Sequence, residues 1–193
     1  PMHNPYLFAY AGMPWKTQKW VRKILQTEYS NITGGLPGND DLGALSAWYV
    51  FSSMGFYPVC PGRAEYVLAS PLFRKVTLHL PNNNEFIVES IHAEENNLYS
   101  RSVTLNGKPY RKLFIEHSDI VEGGHMIFEM DSLPVMEKIV EVHELPASVT
   151  TAKPQIRLVS WQIDRDSVEA DEAFDVTVTF TNDAQVAGTK EIN

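Results

Sequence analysis

The chain has one cysteine in 193 residues, so Cys60 cannot close an internal disulfide. Placed after Val59 in an apolar stretch, it reads as a buried structural thiol. A basic patch is missing too. Net charge is −8 and the 24 acidic residues are scattered along the chain. The nearest approach to a cationic cluster is Lys16, Lys19, Arg22 and Lys23, whose spacing is that of the polar side of one helix. Nucleic acid and anionic membranes both need clustered Lys and Arg, so neither is expected as a partner. No run approaches the length of a transmembrane helix. The six histidines, His3, His79, His92, His117, His125 and His143, show no pairing of the kind that holds a metal. What remains is the composition of a globular protein, 44% hydrophobic and 21% charged, long enough to bury a core as one ordinary domain or two small ones. It opens on Pro1-Met2-His3-Asn4-Pro5 with no initiator Met, and is expected to be a piece cut from something longer.

Three stretches differ in period. Residues 1–58 read as helical. Asn4 before Pro5 looks like an N-cap with proline at the first helical position, and Gly12 closes the short apolar run Tyr6 to Ala11. A second helix starts near Pro14, with Trp20, Val21, Ile24 and Leu25 as its apolar stripe and the basic residues facing away. A third, from about Leu42 to Met54, is apolar nearly all round and stops at Gly55; such a helix is buried between other elements, and this chain supplies too few of them. From about Tyr57 the period becomes that of strands, at Glu65 to Ala69, Lys75 to Leu80, Glu85 to Ile91, Ser100 to Leu105, Tyr110 to Ile115 and His125 to Met130. Asn106-Gly107 is a good hairpin turn, because the tight turn needs positive φ. Residues 59–145 are therefore expected to form an antiparallel β-sandwich or sheet. A linker at about Leu145 to Pro154 leads to residues 154–193, whose alternating stretches Ile156 to Trp161 and Phe174 to Phe180 resemble the opening of an immunoglobulin-like or fibronectin-like module, cut short of its about seven strands.

The stretch from Gly34 to Pro58 carries the chemistry. A glycine-rich loop delivers Asn39, Asp40 and Asp41 to the start of the apolar helix, where first-turn N–H groups and the helix dipole favour ionised carboxylates. Glycines on either side let the backbone turn sharply and leave room for a ligand. Adjacent carboxylates in such a place suit activation of a water. The plain alternative is that Asp40 or Asp41 is only a helix N-cap, worth about 1 kcal/mol.

The wording of this stretch is similar to the hallmark of glycoside hydrolase family 92, in Gly38-Asn39-Asp40-Asp41-Leu42-Gly43 and in the run from Ser46 to Pro58. Upstream, Pro5 to Gly12 and Lys16-Thr17-Gln18 resemble the family as well. Downstream, Pro61-Gly62, Tyr66, Ser70 to Phe73, Leu105 to Lys108 and Gly123-Gly124 do so too, and the likeness covers about residues 4–133. The resemblance implies an exo-acting, calcium-dependent α-mannosidase, of α-1,2 preference in several members, that inverts the anomeric centre. It also implies the fold class: an α+β fragment holding the last helices of a six-hairpin α/α barrel, then the antiparallel β domain, then truncated immunoglobulin-like strands. On the family motif Asp41 matches the general base, with Asp40 second. Asn39 stands where some members have another carboxylate. The general-acid glutamate and most of the Ca2+ ligands would lie in the missing N-terminal part of the enzyme, so the fragment alone is expected to be inactive. Implied partners are mannose-containing glycans and that missing part; the implied setting is bacterial, periplasmic, cell-surface or secreted.

Gly38 and Asn39 on the loop, with His3 and Trp15, are the candidate sugar contacts. Trp15 is equally readable as a core indole, and Trp20 and Trp48 read as core. Asn31-Ile32-Thr33 matches a glycosylation sequon, and Glu94-Glu95 reads as solvated turn. Two other readings compete: a different six-hairpin glycosidase or phosphorylase, and a non-catalytic carbohydrate-binding or adhesive module built on residues 59–193.

Overall fold

The computed structural model describes residues 2–136 and 140–148 in full, and the backbone of 156–163 and 176–182. The chain divides into two units, Pro1–Pro146 and Ala147–Asn193. In the first, a 3-10 turn at Asn4–Tyr6 runs into α1 (Leu7–Tyr10), followed by α2 (Pro14–Thr27) and α3 (Ala44–Met54). Then come β1 (Phe56–Tyr57), β2 (Glu65–Leu68), β3 (Lys75–His79), β4 (Glu85–Ile91), β5 (Tyr99–Leu105), β6 (Lys108–Pro109), β7 (Phe114–Glu116), the short helix α4 (His117–Val121) and β8 (Gly124–Asp131). Gly55 ends α3 at φ 100°, and a Cβ there would lie 2.7 Å from the Pro71 ring. Both facts require glycine.

The strands form a small sheet, β1-β2-β7, and a five-stranded sheet, β3-β4-β8-β5-β6. The larger sheet corrects the expectation of an antiparallel domain. β8 enters between β4 and β5 and runs parallel to β4, pairing Phe86–Ile91 with Gly124–Glu129. Alternation reveals a strand but not the direction of its neighbour, which is why the parallel pair was not foreseen. The Asn106-Gly107 turn does join β5 to β6, with φ of 51° and 75°. Of the strand expected over Tyr110 to Ile115, only Phe114–Glu116 forms; the Tyr110 hydroxyl donates to the Phe114 carbonyl at 2.9 Å instead. α4 was missed, although Glu116 and Asp119 close a capping box at its start.

Two apolar clusters hold the unit together. One joins Phe86 and Val88 of β4 to Met126, Phe128 and Met130 of β8, with Met54, Phe56, Ile115 and Ile120. The other packs Tyr6, Ala9, Val21, Leu25 and Trp48 against Val67, Ala69 and Leu113. Each fully buried large side chain contributes about 1.5–3 kcal/mol.

The helices depart from expectation in three places. Asn4 begins the 3-10 turn rather than capping it, and no side chain caps that turn. On α2 the stripe is rotated: Trp20 is 41% exposed, whereas Arg22 is buried and donates to the Pro71 carbonyl at 2.6 Å. A guanidinium reaching a backbone acceptor can be drawn inside, which periodicity alone does not reveal. α3 starts two residues later than expected; that Val50 is 55% exposed and Leu42 lies fully in solvent agrees with the expectation that this chain supplies too few elements to surround it. Cys60 is half-buried rather than enclosed.

In the second unit β9 (Ile156–Ile163) and β10 (Val176–Asn182) pair antiparallel, with a register shift between Thr179 and Phe180. The immunoglobulin-like module expected over 154–193 otherwise falls on residues outside those described, as does most of the linker before it. No helix among the described residues is long and apolar enough to cross a membrane.

Candidate active site

Between α2 and α3 the chain makes a loop closed at both ends. After Glu28, a tight turn is held by Ser30 N–H to the Gly35 carbonyl at 3.0 Å and Gly35 N–H to the Ile32 carbonyl at 2.9 Å. A Cβ on Gly35 would collide with the Ser30 carbonyl, so glycine is required by close approach. At the far end Asp41, Leu42 and Gly43 take left-handed φ of 49°, 59° and 88° in succession. For the two non-glycine residues that conformation costs about 1–2 kcal/mol each.

Something must hold the strain, and Asp40 does. Its carboxylate accepts the backbone N–H of Ser46 at 2.8 Å and the Ser46 hydroxyl at 2.9 Å. Its carbonyl accepts Leu45 N–H at 3.2 Å, while that of Asp41 accepts Ala44 N–H at 3.3 Å. Orphan donors of the first turn of α3 are thereby satisfied from outside the helix. The Asp41 side chain is exposed and, among the described residues, has no hydrogen-bond or ion-pair partner. Adjacent carboxylates have divided the work: one is tied, the other presented.

Tyr29 closes the loop from the other side. Its hydroxyl donates to the Leu45 carbonyl at 3.1 Å, and its ring stacks on Trp48 at 5.8 Å. Burial, aided by the negative charge of Asp40, pushes this hydroxyl up to about 12. Trp48 is buried and donates its indole N–H to the Met2 carbonyl at 2.8 Å. This bond brings the segment of His3, which is exposed, to the first half of α3. Tyr6 meets α3 one turn further on, through a 2.8 Å hydrogen bond to Ser52.

The sequence candidates thus fall into three places. Gly38, Asn39, Asp40 and Asp41 share the loop, with Asn39 exposed and Gly38 close to Leu45; His3 is on the segment bonded to Trp48. Trp15, in the first turn of α2, lines another concavity, a cleft of about 450 Å³ bordered by β5 and by Tyr110 to Leu113. Tyr29 and Ser46 were not picked out from the sequence. Ser46 could have been: once Gly43 is taken as the N-cap, it occupies the third helical position, whose N–H an upstream carboxylate seeks.

Calcium would need a shell of oxygen donors. The loop offers oxygen from Asp41, Asn39 and backbone carbonyls, but Asp40 is engaged by Ser46. No group of three His, Cys, Asp or Glu converges among the described residues. Calcium takes six to eight oxygens, and these residues do not make such a shell.

The sequence profile described as "Glycosyl hydrolase family 92 catalytic domain" matches residues 1–132, and the chain belongs to that family. Among solved structures it is similar to the family GH92 alpha-mannosidase BT3965 from Bacteroides thetaiotaomicron, at 36% identity and TM-score 0.73, covering 77% of this chain and 20% of that one. BT3965 has also been solved in complex with mannoimidazole. The family GH92 inverting mannosidase BT2199 from the same organism gives 41% identity and TM-score 0.72 over the same shares. A curated relative, an uncharacterized secreted glycosidase of Arthroderma benhamiae, is 33% identical over 122 residues, 62% of this chain and 16% of that protein. The chain thus spans about a fifth or less of the length of these relatives.

Proposed function

We propose that the chain is part of the catalytic region of an exo-acting, inverting α-mannosidase that removes terminal α-mannosides, α-1,2-linked ones among them, from mannose-containing glycans. Asp41 is the general base. The observation that carries this is the division between Asp40 and Asp41: the carboxylate tied to Ser46 holds the loop, and its neighbour stands exposed and unpartnered at a strained backbone position. In an inverting glycosidase one carboxylate takes a proton from water while an acid on the opposite face of the sugar protonates the leaving oxygen, the two about 6.5–9.5 Å apart. The acid belongs to the part of the enzyme outside this chain. Asn39, Gly38 and His3 contact the sugar, and Asp40 orients its neighbour.

The inversion is supported by the description of BT2199 as an inverting mannosidase, and the substrate class by the complex of BT3965 with mannoimidazole. Calcium dependence belongs to the proposal, with the ligands in the rest of the enzyme. An exported location, periplasmic, cell-surface or secreted, is favoured by the secreted curated relative.

The test uses the full-length parent with α-1,2-mannobiose and calcium, followed by proton NMR of the first anomer released. Wild type is expected to release β-mannose, and Asp41→Asn to lose about 10²–10⁴-fold in kcat with similar sugar affinity. Full activity in Asp41→Asn would give the role of base to another residue.

A further inference from the structure

We propose that the cleft beside Trp15 is a binding site for a small phosphomonoester. The chain has a net charge of −8, yet the cleft is lined by three cations, Arg101, Arg111 and Lys112, and by no Asp or Glu among the described residues. The carboxylates paired with them, Asp131, Glu144 and Glu116, lie outside the lining. Glu144 is hydrogen-bonded to Arg111 and offsets its charge. Arg101 is exposed and stands 3.6 Å from Asp131, too far for a hydrogen bond. Lys112 bonds Glu116 at 2.9 Å, which engages one of its three ammonium donors. The Lys16 ammonium lies over the rings of Phe8 and Trp15, 5.2 Å from the centre of the latter, and pairs with no carboxylate among the described residues. Four cations against three carboxylates, with the carboxylates set back, leave the wall positive, the sign that draws an oxyanion.

The backbone and a buried amide add to this independently. Pro14, Trp15 and Gln18 bring the start of α2 to the cleft. No side chain caps that end and no acidic residue stands in its first turn, so its orphan N–H groups and the positive end of its dipole lack an anion. Gln18 is buried at 7% exposure and lines the cleft; its Oε1 accepts Ser100 N–H at 3.3 Å, and its NH2 group has no acceptor among the described residues. A phosphate oxygen supplies one. The rest of the cleft suits the body that carries the phosphate. Its volume of about 450 Å³ is within the range of small-ligand sites, about 300–1,000 Å³. The floor is apolar, with buried Leu113 and Phe128. Trp15 and Tyr110 border it, and because the Tyr110 hydroxyl is committed to the Phe114 carbonyl, what it offers is its ring. Bare phosphate would leave this surface uncovered; an ester of a small organic molecule covers it.

This site stands apart from the proposed function and does not depend on Asp41. Calorimetric titration of the full-length parent with glucose 6-phosphate, beside glucose and inorganic phosphate, tests it. Glucose 6-phosphate is expected to bind about tenfold tighter than glucose and to weaken as salt is raised. Arg101→Gln and Lys112→Gln, each at a solvent-exposed ion pair, should weaken it about fivefold with unchanged melting temperatures. Asp41→Asn should bind it as wild type does. Failure of both phosphates to bind, equal affinity for glucose, or undiminished binding in both cation variants overturns the inference. So does binding that is lost in Asp41→Asn and kept in the other two, which would put the phosphate at the proposed base. Inorganic phosphate binding as tightly as the ester overturns the role given to the Trp15 wall. Loss of hydrolysis with this binding retained would count against the proposed function alone.

Discussion

Tyr29 donates its hydroxyl to the carbonyl of Leu45 at 3.1 Å, so the chain leaves and re-enters the helical layer through one clamp, with Asp41 at the far side of the loop so closed. The clamp orders the loop without touching the carboxylate proposed to act. In the full-length enzyme Tyr29→Phe keeps the stacking on Trp48 and removes only the hydrogen bond. It is expected to lower kcat several-fold with KM nearly unchanged, since a displaced base impairs the chemical step more than sugar binding. Steady-state kinetics on mannobiose reads this directly; equal changes in both constants would point to general loosening of the site.

Asp40 and Ser46 allow a graded test. Asp40→Ala removes both hydrogen bonds to Ser46 and should cost about 1–2 kcal/mol of stability. Ser46→Ala leaves the backbone N–H bonded and should cost less. Denaturant midpoints of the two variants give the order; a larger loss in Ser46→Ala would mean that the hydroxyl, not the helix N–H, is the important donor.

Alkaline titration should destabilise the fold. Tyr10 and Tyr29 are each pushed from 10 up to about 12, chiefly by burial, with Glu65 adding for Tyr10 and Asp40 for Tyr29. A raised tyrosine pKa means that the folded state holds its proton longer than the unfolded chain. Their contribution is therefore complete below pH 10 and is lost as pH rises from about 10 to about 12. The melting temperature should fall through that window, and less steeply in Tyr29→Phe. Tyrosinate absorbance of wild type, compared with Tyr29→Phe, gives the share of Tyr29 in that ionisation.

Arg22 is buried with one bond to the Pro71 carbonyl, while its Nε has no partner among the described residues. Burial also draws its guanidinium below the usual arginine range. Arg22→Ala leaves both a cavity and an unpaired carbonyl, and should cost about 2–4 kcal/mol. Arg22→Met fills the space and should cost distinctly less. Thermal unfolding of the pair separates packing from hydrogen bonding.

Much of this site was legible because it is local. The carboxylate pair, its glycines and the helix behind it lie within one continuous stretch, and Asn106-Gly107 announced its own hairpin. What escaped was set by distant partners. The direction of β8 depends on β4, more than thirty residues away; the burial of Arg22 depends on a carbonyl at Pro71. Trp20 followed the apolar pattern of α2 and still faces solvent, because the rotation of a helix is decided by what it packs on. The strained φ of Asp41 and Leu42 left no trace either, since neither residue type demands it.

The parallel pairing of β8 has a consequence for how this chain is assembled and where it can be cut. β3-β4 and β5-β6 are hairpins that form locally, yet they do not touch as neighbours in the sheet; β8 is the strand wedged between them. Met126, Phe128 and Met130 arrive only with it. A nascent chain must therefore carry two half-sheets until residue 131 has emerged, a delay that long-range pairing imposes on folding. Truncation before Gly124 would yield not a shorter domain but two separate ribbons with their apolar faces open to water.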